Sequence, residues 1–249
     1  MKKRLLSVLA ALSLVLTLAA PAAWAAVDED TMLETIRVLG ILSGDENGNM
    51  NLSGSVTRAE FVKMMTAAST YKDSVGGSTG ASLFTDVKSG HWASGYIKLA
   101  VEQGWVSGYV DGSFRPDNTI TLEEACTALL HLLGYDSSSL AGSFPDAQLS
   151  KARAVGLLDD LDAVQGQTLT RQDCVTLFYN LLTAENSSGT VYGTTLGYTV
   201  TNGEVDYSSL VTSDTKGPYV SSSGTVSLPF STENITVYRN GTLSDLSAV

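Results

Sequence analysis

The sequence contains one pattern three times, and this internal repetition limits the possible folds more than any other feature. A Gly-x-x-Ser-Gly motif at residues 40–44 returns 64 residues later at 104–108, and the alignment continues without a gap into the following segment. A third copy begins at Gly156 and is three residues shorter over the same stretch. We therefore expect three related units, which we call unit 1 (residues 28–71), unit 2 (residues 83–136) and unit 3 (residues 143–184).

Each unit carries the same signal for the start of a helix. A threonine is followed three residues later by an acidic residue, and the pairs are Thr57 with Glu60, Thr121 with Glu124 and Thr170 with Asp173. A threonine hydroxyl at the N-cap can accept a hydrogen bond from the third helical amide, and the acidic side chain can accept one from the cap amide. Apolar residues then follow at i, i+3, i+4 and i+7, which predicts an amphipathic helix in each unit.

A second helix is predicted before the glycines that begin the motif, at Gly40, Gly104 and Gly156, because glycine commonly follows the end of a helix. Each unit is then helix, loop, helix. A pair of helices of about ten residues buries too little apolar surface to be stable alone. The expected fold class is therefore mainly α, with three tandem helix-loop-helix repeats that share one core.

The composition changes after Ala184, where serine, threonine, glycine and tyrosine become frequent. Residues 191–200 and 235–239 favour strands, and the dipeptides at 202–203 and 240–241 are both Asn-Gly, which is typical of hairpin turns. We expect a small β-rich region over residues 191–249.

The first 25 residues have the features of a secretory signal peptide. Three basic residues precede an apolar run of 16 residues, which is followed by Pro21 and by Ala-Trp-Ala at 23–25. The alternative, a retained membrane anchor, is disfavoured because about 20 residues are needed to cross a bilayer. We therefore expect an exported protein that begins near Ala26 and does not insert into the membrane after signal cleavage.

Charge and chemistry exclude several functions. With 15 basic and 26 acidic residues, the formal net charge is −11, so nucleic acid is not an expected partner. The two cysteines, Cys126 and Cys174, fit buried thiols better than a disulfide or a zinc site. The two histidines, His91 and His131, lie in no metal-binding or catalytic motif, so no cofactor, metal or enzymatic activity is expected.

Unit 2 closely resembles the S-layer homology (SLH) domain. The resemblance rests on Phe-Thr-Asp at 84–86, His-Trp-Ala at 91–93, the Gly-Tyr…Asp-Gly…Phe-Arg-Pro-Asp loop that ends at Asp117, and the helix start at Thr121. Units 1 and 3 resemble the domain more loosely. The resemblance implies that three tandem SLH repeats pack with pseudo-threefold symmetry. It also implies noncovalent attachment to bacterial secondary cell-wall polysaccharides, which commonly carry pyruvate ketals.

The same resemblance implies carbohydrate-binding residues. Arg58 and Arg171 match the arginine of the family's Thr-Arg-Ala-Glu motif, and a guanidinium can bind the ketal carboxylate with two hydrogen bonds. Asp86 and Trp92 match the family's Phe-x-Asp and His-Trp-Ala positions, where each could bind sugar or stabilise a loop. Leu122 replaces the arginine in unit 2, so one groove is expected to lack its anion-binding group.

The leading hypothesis is a secreted protein that residues 28–184 attach to the cell wall, with residues 191–249 as displayed cargo or spacer. Two alternatives remain. The chain could be a subunit of a surface-layer lattice, with other surface-layer proteins as partners. It could also be an anchored enzyme with an active site in the C-terminal region, although that region contains no histidine, cysteine or catalytic motif.

Overall fold

The computed structural model of the chain describes residues 27–45, 48–75 and 83–206, together with two short strands near the C-terminus. The predicted signal peptide, residues 1–25, lies outside the described residues, as does most of the segment from 207 to 249. Across the described residues, no helix combines the length and the apolar character that a membrane span requires.

The described chain is mainly helical, as the sequence predicts. Its helices are α1 (Glu29–Val38), α2 (Arg58–Ala67), α3 (Ser94–Glu102), α4 (Leu122–Leu132), α5 (Asp146–Ala154), α6 (Arg171–Thr183) and α7 (Tyr192–Thr195). A short 3-10 turn at Ser137–Ser139 follows α4. The strands are β1 (Val200–Thr201), β2 (Glu204–Val205), β3 (Val237–Arg239) and β4 (Thr242–Ser244).

The predicted helix starts are confirmed in all three units. Thr57, Thr121 and Thr170 are the N-caps of α2, α4 and α6, and each forms a complete capping box with its acidic partner. The three glycines at 40, 104 and 156 follow the preceding helices with φ values of 68°, 72° and 81°. This left-handed conformation is strained for other residues, which explains the recurrence of glycine there.

The segments that lead into α2, α4 and α6 are joined by a closed ring of backbone hydrogen bonds. The amide of Val56 donates to the carbonyl of Leu169, that of Leu169 donates to Ile120, and that of Ile120 donates to Val56, each at 3.0 Å. All three side chains are buried in the core. We call these three bonds the backbone ring. Each unit gives one hydrogen bond and receives one, so no unit completes the ring alone.

A second set of bonds satisfies the first amide of each of these helices, which has no acceptor within its own helix. The amide of Arg58 donates to the carbonyl of Asn118 (2.8 Å), that of Leu122 to Gln167 (2.9 Å), and that of Arg171 to Gly54 (2.8 Å). In every case the acceptor belongs to another unit.

The helices also pair between units. Helix α3 of unit 2 packs against α2 of unit 1, α5 of unit 3 packs against α4 of unit 2, and α1 of unit 1 packs against α6 of unit 3. Phe61 on α2 and Phe178 on α6 contact each other with ring centroids 5.2 Å apart. The core is therefore continuous across the three units.

Both cysteines are buried and unpaired, in agreement with the sequence prediction. Burial raises the pKa of Cys126 to about 12 and raises that of Cys174 further, because an apolar environment disfavours a thiolate. These thiols therefore serve as small core side chains.

The C-terminal region only partly matches the sequence prediction. The expected strand over residues 191–200 is wrong, since Tyr192–Thr195 is the short helix α7. There the hydroxyls of Thr194 and Thr195 donate to backbone carbonyls of the same turn, and such local bonds compete with strand pairing. The predicted hairpin at Asn202-Gly203 is confirmed, because β1 and β2 pair around it. Strands β3 and β4 also pair antiparallel, on either side of residues 240–241.

The described part of this region packs onto the helical core. The hydroxyl of Tyr192 donates to the carbonyl of Ala68 at the end of α2 (2.9 Å), and the amide of Val205 donates to the hydroxyl of Tyr179 on α6 (3.4 Å). Residues 185–206 thus contact units 1 and 3.

The side chains of the three residues in the backbone ring are buried, so we predict that they are critical for stability. Leu169→Ala should lower the free energy of unfolding by about 2–5 kcal/mol, because Leu169 is fully buried and the change leaves a cavity. The measurement is urea denaturation. The control is Val164→Ala, whose side chain is 66% exposed and whose effect should stay within about 0.5 kcal/mol. Equal effects of the two changes would contradict the prediction.

The contact of Tyr192 predicts that the C-terminal segment stabilises the core. Tyr192→Phe should lower the free energy of unfolding by about 1 kcal/mol, because the buried carbonyl of Ala68 loses its donor. Tyr96→Phe is the control, since the Tyr96 hydroxyl makes no hydrogen bond to a described residue. If the unfolding curves of the two variants coincide, the hydrogen bond of Tyr192 does not contribute to the stability of the core.

Candidate functional site

A cleft of about 300 Å³ lies where the three units meet near the start of α6. It is lined by Ile41, Leu42, Ser43, Gly44, Glu60, Lys63, Met64, Trp92 and Arg171. We call it the Arg171 cleft. Unit 1 supplies most of its walls, unit 2 supplies Trp92 and unit 3 supplies Arg171. The structure therefore brings together two of the four residues that the sequence selects.

Two hydrogen bonds hold the guanidinium of Arg171 in place. Its Nε donates to the carbonyl of Met50 and its Nη2 donates to the carbonyl of Ser43, both at 2.6 Å. Its Nη1 makes no hydrogen bond to a residue that the structure describes. Arg171 is half-buried, so this group is a fixed cation with hydrogen-bonding capacity left for a ligand.

The charges in the cleft favour an anion. Lys63 on α2 is exposed and adds a second positive charge to the lining of the cleft. Glu60 is the acid of the lining, and its Oε2 already accepts hydrogen bonds from the amide and hydroxyl of Thr57 (2.8 and 2.9 Å). The cleft therefore carries a local excess of positive charge on a chain whose net charge is −11.

Trp92 offers an exposed aromatic surface at the cleft. Its side chain is 53% exposed, although the adjoining Ala93 is fully buried and fixes the backbone. The His91 ring stacks on the indole with centroids 5.8 Å apart, and the Tyr96 ring lies 6.5 Å away. These neighbours restrict the indole, so that it forms a pre-positioned apolar face of the kind that contacts sugar rings.

Arg58 occupies the corresponding position in unit 1 but is buried, at 8% exposure. Its Nε donates to the carbonyl of Phe114 (3.1 Å) and its Nη2 donates to the carbonyl of Ser107 (3.2 Å). These acceptors lie 64 residues after Met50 and Ser43, so the two arginines bind equivalent loops of neighbouring units. The remaining nitrogen, Nη1, forms an ion pair with Oε1 of Glu124 at 3.1 Å.

Aromatic rings complete the surroundings of Arg58. Its Cζ lies 5.0 Å from the centroid of the Tyr109 ring and 4.7 Å from that of the Phe114 ring. The Tyr109 hydroxyl donates to the same Glu124 oxygen (3.1 Å). Burial raises the pKa of Tyr109, so this hydroxyl keeps its proton at neutral pH. Each of the three nitrogens of the Arg58 guanidinium therefore has a partner within the protein.

Asp86 holds the loop that Arg58 contacts. Its Oδ1 accepts from the amide of Phe114 (2.8 Å) and its Oδ2 accepts from the amide of Arg115 (2.7 Å). Arg115 has a φ of 58°, an uncommon conformation that these bonds help to maintain. Asp86 is not part of the lining of the Arg171 cleft.

The third equivalent position is Leu122, which is fully buried. As the sequence indicates, this position has no cation. The structure thus places three different side chains, Arg58, Leu122 and Arg171, at three equivalent helix starts.

Sequence reasoning missed several contributing residues. Lys63 lies five positions after Arg58 on α2, yet it lines the Arg171 cleft, of which Arg58 is not part. Glu124 was identified as a capping residue, but its ion pair with Arg58 was not. Both residues lie in helices that are equivalent in the repeat. The sequence could indicate their roles only if the order in which the units pack against each other were known.

A second cleft, of about 360 Å³, lies beside α6 and contains Asp159, Asp160 and Asn180. The Asn180 amide group donates to the carbonyls of Leu157 and Asp159, so its role there is to hold the loop before α6. Within the described ranges, no group of three or more histidine, cysteine or acidic residues could hold a metal ion.

The role of Asp86 predicts a pH-dependent contribution to stability. Burial raises its pKa, but the two backbone donors outweigh this effect and the net pKa lies below the ordinary value. Its stabilisation should be complete above about pH 4, the unfolded-state value, and should be lost as pH falls through the lower folded-state pKa. Asp86→Asn should therefore lower the melting temperature at pH 7, and the difference from the unaltered protein should shrink below pH 4.

The control for this experiment is Asp117→Asn in the same loop. The Asp117 carboxylate makes no hydrogen bond to a described residue, so the change should have little effect at either pH. A constant difference between the Asp86 variant and the unaltered protein from pH 7 to pH 3 would argue against the assigned role.

The sequence is similar to one protein family and to several known proteins. The S-layer homology domain family matches residues 83–126. The "Middle cell wall protein" of Brevibacillus brevis is 29% identical over 213 residues, which cover 81% of this chain and 20% of that protein. The "Surface layer protein" of Brevibacillus choshinensis is 30% identical over 215 residues, which cover 81% of this chain and 19% of that protein.

A third relative, the "Cellulosome-anchoring protein" of Acetivibrio thermocellus, is 33% identical over 96 residues, which cover 37% of this chain and 21% of that protein. The chain thus spans about a fifth of the length of these relatives. Their names describe proteins of the cell wall, of the surface layer and of cellulosome anchoring. The chain therefore carries an S-layer homology domain at residues 83–126, which indicates a location at the cell surface or cell wall.

Proposed function

We propose that this protein attaches noncovalently to the bacterial cell wall by binding an acidic secondary cell-wall polysaccharide in the Arg171 cleft. The observation that carries the proposal is the guanidinium of Arg171, which is held by two backbone carbonyls and keeps Nη1 available beside Lys63 and Trp92. The preferred ligand group is the carboxylate of a pyruvate ketal on the polymer.

The chemistry of the cleft fits such a ligand. A carboxylate can accept a charge-assisted hydrogen bond from Arg171 Nη1 and a second from the flexible ammonium of Lys63. Because two existing bonds already orient the guanidinium, little conformational entropy is lost when the ligand binds.

Trp92 would contribute the apolar part of recognition. Sugar rings present faces of C–H groups, and an indole face packs against them while its N–H remains a donor. The exposed indole lies on the same cleft as the two cations, so one sugar residue with a ketal could contact both.

Arg58 and Asp86 are proposed to act on the architecture of the binding region. Arg58 joins unit 1 to the loop of unit 2, and Asp86 fixes the same loop from the other side. We further propose a pseudo-threefold arrangement of three SLH repeats. It is supported by the backbone ring and by the helix pairing between units.

The relatives support the same function. Three of them are named for the cell wall, for the surface layer and for cellulosome anchoring, and the shared portion is about a fifth of each. An attachment module is a part that such large proteins could have in common with this chain. Residues 191–249 would then serve as displayed cargo or spacer.

A second candidate is a subunit of a surface-layer lattice, which the name of the Brevibacillus choshinensis relative favours. A lattice subunit must associate with copies of itself, whereas an anchor needs only the polymer. Light scattering of the mature chain separates the two, because a protein that stays monomeric at high concentration would count against the lattice.

The proposed site predicts a loss of binding when its cation is removed. Arg171→Ala should weaken binding to purified wall polysaccharide at least tenfold, which corresponds to about 1.4 kcal/mol. Lys63→Gln should weaken it by a smaller factor, and because Lys63 is exposed this change should leave the melting temperature unaltered. Affinity is measured by calorimetry, with the fold checked by circular dichroism.

The matched control is Arg153→Ala, which removes an exposed arginine on α5 that does not line the cleft. It should bind like the unaltered protein. Polymer treated with mild acid to remove pyruvate tests the ligand group, and should bind the unaltered protein as weakly as intact polymer binds the Arg171 variant. Full binding by Arg171→Ala would exclude the assigned site.

A further inference from the structure

We propose that the site of Arg58 is closed by an internal ligand. In this proposal, which rests on the proposed function, the carboxylate of Glu124 occupies at Arg58 the position that the polymer carboxylate takes at Arg171. The chain would then present one open anion site, and removal of the Glu124 side chain would create a second.

The two arginines make the same pair of backbone contacts, although only Arg58 also packs against aromatic rings. Each uses Nε and Nη2 to bind two carbonyls, at positions that correspond exactly 64 residues apart in the two loops. Each therefore directs Nη1 to an equivalent place. At Arg58 that place contains Oε1 of Glu124, whereas at Arg171 no described residue bonds to Nη1.

A difference in the neighbouring loops explains why Glu124 reaches its arginine and Glu60 does not. Both are capping residues that use Oε2 to accept from the threonine amide. The other oxygen of Glu124 is held toward Arg58 by the Tyr109 hydroxyl. The residue equivalent to Tyr109 in unit 1 is Asp45, a shorter side chain that accepts from the amide and side chain of Asn49 within its own loop.

The internal carboxylate also competes with any dissolved carboxylate for Arg58. A carboxylate within the chain has a high effective concentration at Arg58, so a dissolved ligand competes poorly. The Arg58 guanidinium also lies within 5.0 Å of the centroids of two aromatic rings and the residue is 8% exposed, so its ion pair is poorly screened by water. The site is closed because the chain already satisfies the cation.

Chemical rescue tests this proposal without the polymer. The Arg171→Ala variant serves as the background, so that acetate cannot act at Arg171. Adding Glu124→Ala should lower the melting temperature by about 5 °C or more, because it leaves Arg58 without its partner. Sodium acetate should restore most of that loss in a saturable manner, whereas sodium chloride at equal ionic strength should not.

The matched control is Asp173→Ala in the same background. Asp173 forms the same capping box in α6 but makes no ion pair with an arginine among the described residues. Its loss should lower the melting temperature without any rescue by acetate. Failure of acetate to restore the Glu124 variant beyond this control would overturn the proposal, whatever the polymer experiments show.

A second measurement uses the unaltered protein, in case the double variant does not fold. Acetate is titrated while the guanidinium signals of isotope-labelled arginines are followed by NMR. The Arg171 signals should shift and those of Arg58 should not. Comparable shifts at both arginines would overturn the proposal. If Arg171 and Arg58 behave as expected but the polymer does not bind, the closed site stands and the proposed function fails.

Discussion

The backbone ring is the constraint on which the rest of the structure depends. Its three hydrogen bonds join Val56, Ile120 and Leu169, one from each unit, immediately before the helices α2, α4 and α6. The first amide of each helix is then satisfied by a carbonyl of another unit, so the helix starts are complete only when all three units are present. The pairing of α1 with α6, α2 with α3 and α4 with α5 has the same consequence for the apolar faces. Helices of this length gain most of their stability from packing, and here that packing comes from other units.

The ring also determines what the functional positions can do. Because the three helix starts are held in equivalent places, the first helical residue of each meets an equivalent loop of another unit. Arg58, Leu122 and Arg171 occupy these positions and produce a closed ion pair, an apolar contact and an open cation. The difference between the two arginines depends on a neighbour in the loop, where Tyr109 in unit 2 corresponds to Asp45 in unit 1. One scaffold repeated three times thus supports different chemistry at each interface through single side chains.

Local features could be predicted from the sequence, whereas features that depend on distant contacts could not. The capping boxes, the glycine ends and the hairpin turn at Asn202-Gly203 are set by a few adjacent residues, and all are present. Helix α7 stands where a strand was expected, and besides the local bonds of Thr194 and Thr195 it makes a contact from Tyr192 to Ala68, 124 residues away. At the candidate site, the motif resemblance selected Arg171 and Trp92, which share the cleft. It gave no indication that Lys63 joins them or that Glu124 satisfies Arg58, because both relations cross between units.

Under the proposed function, the charge of the protein explains why a built cleft is needed. A chain with a net charge of −11 is repelled by an acidic polymer at distances up to a Debye length, about 8 Å at physiological salt. Attraction must therefore come from short-range contacts in which the cation is oriented and partly desolvated. Arg171 meets this requirement because the backbone carbonyls of Met50 and Ser43 hold its guanidinium, and these acceptors carry no net charge. Arg58 is held in the same way but is compensated by Glu124, so of these two arginines Arg171 is the one whose positive charge opposes the net charge of the chain.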